Sequence, residues 1–133
     1  MRKGVKAIGR PLAAALLVLS AAAAGAEKMA LDGTTFVGTT TEKGKTKGEP
    51  DQLVFKDGKF RSTACDAYGF TETSYTPAVS DVDTRFEAVA TSPKEGTMTW
   101  KGTVKGDRLE ATADWVKKGQ ADMHYTFSGR LKQ

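Results

Sequence analysis

From Thr34 to the end of the chain, apolar and polar residues alternate with a period of two, and glycine or proline interrupts the pattern at short intervals. Successive side chains of an extended strand point to opposite faces, so each such run has one face for a core and one for water. Nothing after residue 30 sustains the three- and four-residue spacing that an amphipathic helix needs. The clearest runs lie in the C-terminal half. Phe86, Ala88 and Ala90 alternate with Arg85, Glu87 and Val89; Met98, Trp100, Gly102 and Val104 with Thr97, Thr99, Lys101, Thr103 and Lys105. Leu109, Ala111, Ala113 and Trp115 then alternate with Glu110, Thr112, Asp114 and Val116, and Met123, Tyr125, Phe127, Gly129 and Leu131 with His124, Thr126, Ser128 and Arg130.

Turn chemistry separates these runs: Ser92-Pro93-Lys94-Glu95-Gly96, Gly106-Asp107 and Lys117-Lys118-Gly119-Gln120. In each, glycine supplies the positive backbone angle of a tight reversal. Asp57-Gly58 joins a strand over 52–56, carrying Phe55, to one over 59–64, carrying Phe60. An opening strand runs through Phe36, Val37 and Gly38 to Thr41, and residues 72–76 supply one more. Residues 41–52, with Lys43, Lys45 and Lys47 among glycines and Pro50, read as a polar, mobile loop. About eight strands in sequential hairpins close an up-and-down antiparallel barrel, which leaves no exposed edge. A β-sandwich is the alternative for an all-β chain of this kind.

The first 26 residues have a different character: a basic stretch MRKGVKAIGR, an apolar run from Leu12 to Ala24, and small residues ahead of Glu27. That is the pattern of an export signal, too short for a bilayer span, and it implies a periplasmic or secreted protein with a single domain over 27–133. Arg2, Lys3, Lys6 and Arg10 account for the whole formal charge of +4, so the remaining 16 basic residues face 16 acidic ones. A balanced domain is not a generally basic nucleic-acid or membrane-surface binder. No long apolar stretch follows the leader, so the mature chain is not expected to insert into a membrane.

Cys65 is the only cysteine, so no internal disulfide can form. Phe60, Ser62 and Ala64 share one strand face, which places Cys65 outward with Arg61 and Thr63 unless the strand bulges. Tyr68 and Phe70 flank Gly69, where the chain can turn sharply and lay aromatics over a barrel mouth. Cys65, Tyr68, Gly69 and Phe70 are therefore the candidate lid or contact loop, with Cys65 at its hinge. The competing reading turns Cys65 inward and uses Phe70 as a plug.

The run from Trp100 to Leu109, WKGTVKGDRL, followed by Trp115, resembles the W-x-G-x-V-x-G-D-x-L hairpin of small, uncharacterised exported bacterial proteins with a lipocalin-like or avidin-like (calycin) barrel. Residues 60–65, FRSTAC, followed by Tyr68-Gly69-Phe70, resemble the same group. Lipocalins carry Gly-x-Trp on the first strand, whereas this chain reads Gly33-Thr34-Thr35-Phe36. The resemblance thus implies a barrel and no particular ligand.

Catalytic constellations are sparse. His124 is the only histidine and points to the polar side of its strand, so a Cys65–His124 pair lacks a supporting nucleophile motif. One Cys and one His fall short of a zinc or blue-copper set. Asp81-Val82-Asp83 offers oxygens for at most a weak calcium site, and the glycines sit at turns rather than in a phosphate-cradling loop. No metal, cofactor or enzymatic activity is expected. What remains is the interior, where Phe36, Phe60, Phe86, Trp100, Trp115, Tyr125 and Phe127 mix with Gly38, Ala88, Ala90, Gly102, Ala111, Ala113 and Gly129. Such a mixture packs a core densely or frames a cavity for one small apolar ligand. Phe86, Trp100, Trp115 and Tyr125 are the candidate ligand-binding residues. A structural or protein-interaction barrel acting through its loops is the alternative, and no protein partner is specified.

Overall fold

Strands form wherever the alternation is long enough to bury one face: β1 (Thr34–Glu42), β2 (Glu49–Lys56), β3 (Lys59–Ser62), β4 (Thr73–Val79), β5 (Thr84–Ser92), β6 (Gly96–Lys105), β7 (Arg108–Val116) and β8 (Met123–Leu131). A computed structural model describes residues 30–133; the export reading of residues 1–26 and the first residues of the 27–133 domain lie outside the described residues. The eight strands are hydrogen-bonded in sequence order, and β1 pairs antiparallel with β8 to close the barrel. The architecture is all-β, antiparallel and up-and-down, not a sandwich.

Barrel closure depends on a glycine pair. Gly38 of β1 lies opposite Gly129 of β8. A Cβ on Gly38 would stand 2.6 Å from the Gly129 Cα and would collide with the Ser128 carbonyl oxygen. The missing side chains also leave room for aromatic rings, since Phe127 lies over Gly129 and Phe86 lies over its cross-strand partner Gly102.

One end of the barrel is solid. Phe55 sits at the centre of an aromatic cluster, with ring centroids 4.9 Å from Phe86, 5.1 Å from Tyr75, 5.4 Å from Phe60 and 6.2 Å from Phe36. The pairs with Phe86, Tyr75 and Phe36 are edge-to-face, an arrangement that adds about 0.5–1.5 kcal/mol each beyond the area buried. The chain entering β1 seals the end below them. Leu31 is buried, and its N–H donates to the Tyr75 hydroxyl at 3.2 Å. Tyr75 in turn donates to Asp32 Oδ1 at 2.7 Å, while the Asp32 carboxylate accepts the Gly58 N–H of the β2–β3 turn at 3.0 Å.

The polar loop expected over 41–52 is shorter, spanning 43–48. β1 continues to Glu42 because it finds partners on β8, and β2 starts at Glu49 opposite Thr40. β3 also ends sooner than residue 64, because a 3-10 helix, Thr63–Tyr68, takes over at Thr63.

Candidate functional site

The other end of the barrel gathers the connections 43–48, 63–72, 93–95 and 117–122. Toward this end the inward residues mix large and small, with Ala113 between Trp100 and Trp115. A cavity of about 660 Å³ opens there. Trp100, only 1 % exposed, forms its floor and touches the aromatic cluster through Phe60 at 5.4 Å. Met98, Ala113, Trp115 and Tyr125 line one wall. The rim next to Tyr125 is polar and includes Glu42, Lys45, Lys47 and Glu49.

The 3-10 helix lies across the mouth and is pinned at each end. At its start, buried Asp51 of β2 accepts the Ala64 N–H at 3.0 Å, Ser62 Oγ at 2.8 Å and Thr40 Oγ1 at 2.7 Å. At its finish, Ser92 Oγ donates to the Tyr68 carbonyl at 2.7 Å, and Gly69 reverses the chain at φ 81°. Phe70 then inserts into the core at 3 % exposure. Tyr68 stays 56 % exposed on the rim, its ring centroid 6.3 Å from that of Trp115. Trp115 is fixed in turn by donating its Nε1–H to the Glu95 carbonyl of the β5–β6 turn.

Trp100, Trp115, Tyr125, Cys65, Tyr68 and Phe70 therefore meet at one cavity. Phe86 does not join them. It lies a layer deeper, buried against Phe55 and Phe60, because its β5 position is nearer the sealed end. Cys65 departs from the outward placement expected of a continuing strand: the helical turn rotates it to face the cavity, half-buried. Burial pushes its thiol pKa up; a hydrogen bond with Ser62 opposes this, and the Asp51 and Asp66 carboxylates reinforce it. Tyr125 is likewise pushed up, by burial first and then by Glu42, Tyr68 and Cys65 around it.

Asp51, Glu42 and Met98 were not among the residues singled out in the sequence. Period two run backward from Phe55 through Leu53 places Asp51 inward, and run forward from Phe36 it places Glu42 inward. Either signal is readable once the strand ends are known.

His124 sits on the outer face with Nδ1 2.7 Å from Asp114 Oδ1, separated by the barrel wall from Cys65 in the mouth. Asp83, from the acidic loop, is engaged with Ser80 Oγ at 3.0 Å. Among the described residues no group of three or more His, Cys, Asp or Glu could hold a metal ion. A second hollow of about 500 Å³ lies on the outer face of β5–β8, rimmed by Arg85, Glu87, Lys101 and Glu110. Compared with family models, curated proteins and solved structures, the chain matches none.

Proposed function

We propose that this chain is an exported, non-enzymatic binding barrel that takes one small, largely apolar ligand through its open mouth. The carrying observation is the asymmetry of the interior: aromatic rings fill one half, while a cavity of about 660 Å³ lies over Trp100 in the other, walled by Met98, Ala113, Trp115 and Tyr125. A ligand-sized hollow with mostly apolar walls and a few polar groups is the usual form of a small-molecule site. The calycin-like reading belongs to the same proposal, since closed eight-stranded barrels of this topology are wide enough to hold one small ligand. The export signal read in residues 1–26 supports a periplasmic or secreted setting. Charged and threonine side chains on the outward faces, the reverse of a lipid-facing barrel, support a mature chain that stays out of the bilayer.

Titration with 1-octanol and with a naphthalene-sized aromatic tests the reading. Binding shifts the emission of Trp100 and Trp115, and a ligand at one hundred times its Kd adds about 2.7 kcal/mol to stability. Unchanged emission and melting temperature with both probes count against it. The exposed Tyr68 beside Trp115 favours the alternative of an interaction barrel acting through its loops. Native mass spectrometry of protein taken from its own source separates a retained small molecule from a bound protein.

A further inference from the structure

The mouth is not uniformly apolar. Glu42 ends β1 on the inward side, half-buried, directly opposite Tyr125 of β8. Among the described residues its carboxylate has neither a hydrogen bond nor an ion pair. A carboxylate with no cationic partner of its own at the lip of a largely apolar cavity offers a charge-assisted contact to a cation that enters it. The same space is faced by Tyr125, Trp115 and Tyr68, with Trp100 beneath. Indole and phenol rings carry electron-rich faces that attract ammonium groups, most strongly where water is excluded.

From this juxtaposition we infer that the cavity is built for an amphiphilic cation: an ammonium or quaternary ammonium head held by Glu42 among Tyr125, Tyr68 and Trp115, and an apolar body resting on Trp100. This assignment rests on the binding reading above and names its ligand class. Lys45 and Lys47 on the rim are the competing feature, since they would suit an anionic head. Both are exposed, on the 43–48 connection, and long flexible stems let them turn to solvent. Glu42 is anchored on a strand paired with β8, beside Tyr125, whereas both lysines stand on the connecting turn. Tyr125, whose ionisation is resisted by burial and by Glu42 itself, remains neutral beside it and offers a ring face without a competing charge.

Octyltrimethylammonium, 1-octanol and octanoate carry one alkyl body with a cationic, neutral or anionic head. Titrated into the protein by calorimetry and tryptophan fluorescence, the cation should bind about tenfold tighter than the alcohol, and octanoate weakest. Glu42→Gln should remove most of the preference for the cation, the remainder coming from the ring faces, and leave the alcohol affinity unchanged. Lys45→Ala combined with Lys47→Ala should preserve that preference. Equal affinity for cation and alcohol, or tightest binding of octanoate, overturns the cationic assignment and leaves the cavity as a binding site. Failure of all three probes to bind overturns the cavity reading and this assignment with it. The wild-type series decides the matter even if Glu42→Gln does not fold.

Discussion

Asp51 on β2 accepts the backbone N–H of Ala64, 3.0 Å away and thirteen residues later in the chain, and so caps from a neighbouring strand a helix whose own first residues provide no side-chain cap. The same carboxylate collects the hydroxyls of Ser62 and Thr40. One buried side chain thus ties β1, β3 and the helix across the mouth together.

Removing that carboxylate leaves buried donors without an acceptor. Hydrogen bonds to a charged group contribute about 1.5–3 kcal/mol each, less than additively when shared. Asp51→Ala should therefore cost about 3 kcal/mol of stability in urea denaturation. Asp51→Asn, which keeps one acceptor oxygen, should cost less. Hydrogen exchange at Ala64 should accelerate in both variants; an unchanged rate would mean that the helix is held by other contacts.

At the sealed end, burial and the hydrogen bond to Asp32 hold the Tyr75 phenol well above the ordinary tyrosine range. The folded protein therefore keeps this proton at a pH where the unfolded chain releases it. Stability from this group is fully present below the unfolded pKa, about 10, and falls as pH rises beyond it. Tyr75→Phe should lose about 1–2 kcal/mol at neutral pH, because the Leu31 N–H loses its acceptor and Asp32 a donor. It should also flatten the decline of stability above pH 10, without abolishing it, since Tyr125 is shifted in the same direction. Denaturant titrations at pH 7, 10 and 11 would refute this if both proteins declined in parallel.

The strands and their order were legible because each exposes one face to water and alternation records that directly. Tight glycine turns then left sequential pairing as the simplest path for the chain. The seal at Leu31 and Asp32 was not legible, because its partner Tyr75 is more than forty residues distant and no local pattern links them. Glu49, Pro50 and Asp51 read as loop because they carry no apolar residue, yet pairing with β1 makes them strand. Propensity yields there to the hydrogen bonds of a closed barrel. The reversal at Gly69 was legible in composition, since a glycine does turn the chain between Tyr68 and Phe70. The helical turn before it was not, because the acceptor that caps that turn lies on another strand.

Closure itself can be tested at Gly38. Alanine there drives a methyl group into the Ser128 carbonyl and toward the Gly129 Cα, both backbone atoms that only a parting of β1 from β8 could clear. Gly38→Ala should cost about 3 kcal/mol or more, at the upper end of overpacking effects. Gly44, at φ 87° in the 43–48 connection, has open space around it, so Gly44→Ala pays only for backbone conformation, about 1 kcal/mol. Thermal melts of the two variants should separate them clearly; equal losses would show that the glycine pair is not what lets the barrel close.

Cys65 reports on the mouth without further modification. Its thiol faces the cavity from the pinned helix, and burial, reinforced by Asp51 and Asp66 against the Ser62 hydrogen bond, disfavours the reactive thiolate. Thiolate supply and access both limit the reaction with DTNB. At pH 7.5 the native protein should therefore react at least about tenfold more slowly than the chain in denaturant. The rate should keep rising with pH above 9, where an ordinary thiol would already be levelling off, because the folded pKa lies higher. Saturation with a cavity ligand should slow labelling further, and Asp51→Ala should speed it by loosening the helix. Cys65→Ser should leave the melting temperature nearly unchanged, since the new hydroxyl can keep Ser62 as a partner. Native and denatured proteins labelling at the same rate would place the thiol in free solvent and remove the helix as a cover over the cavity.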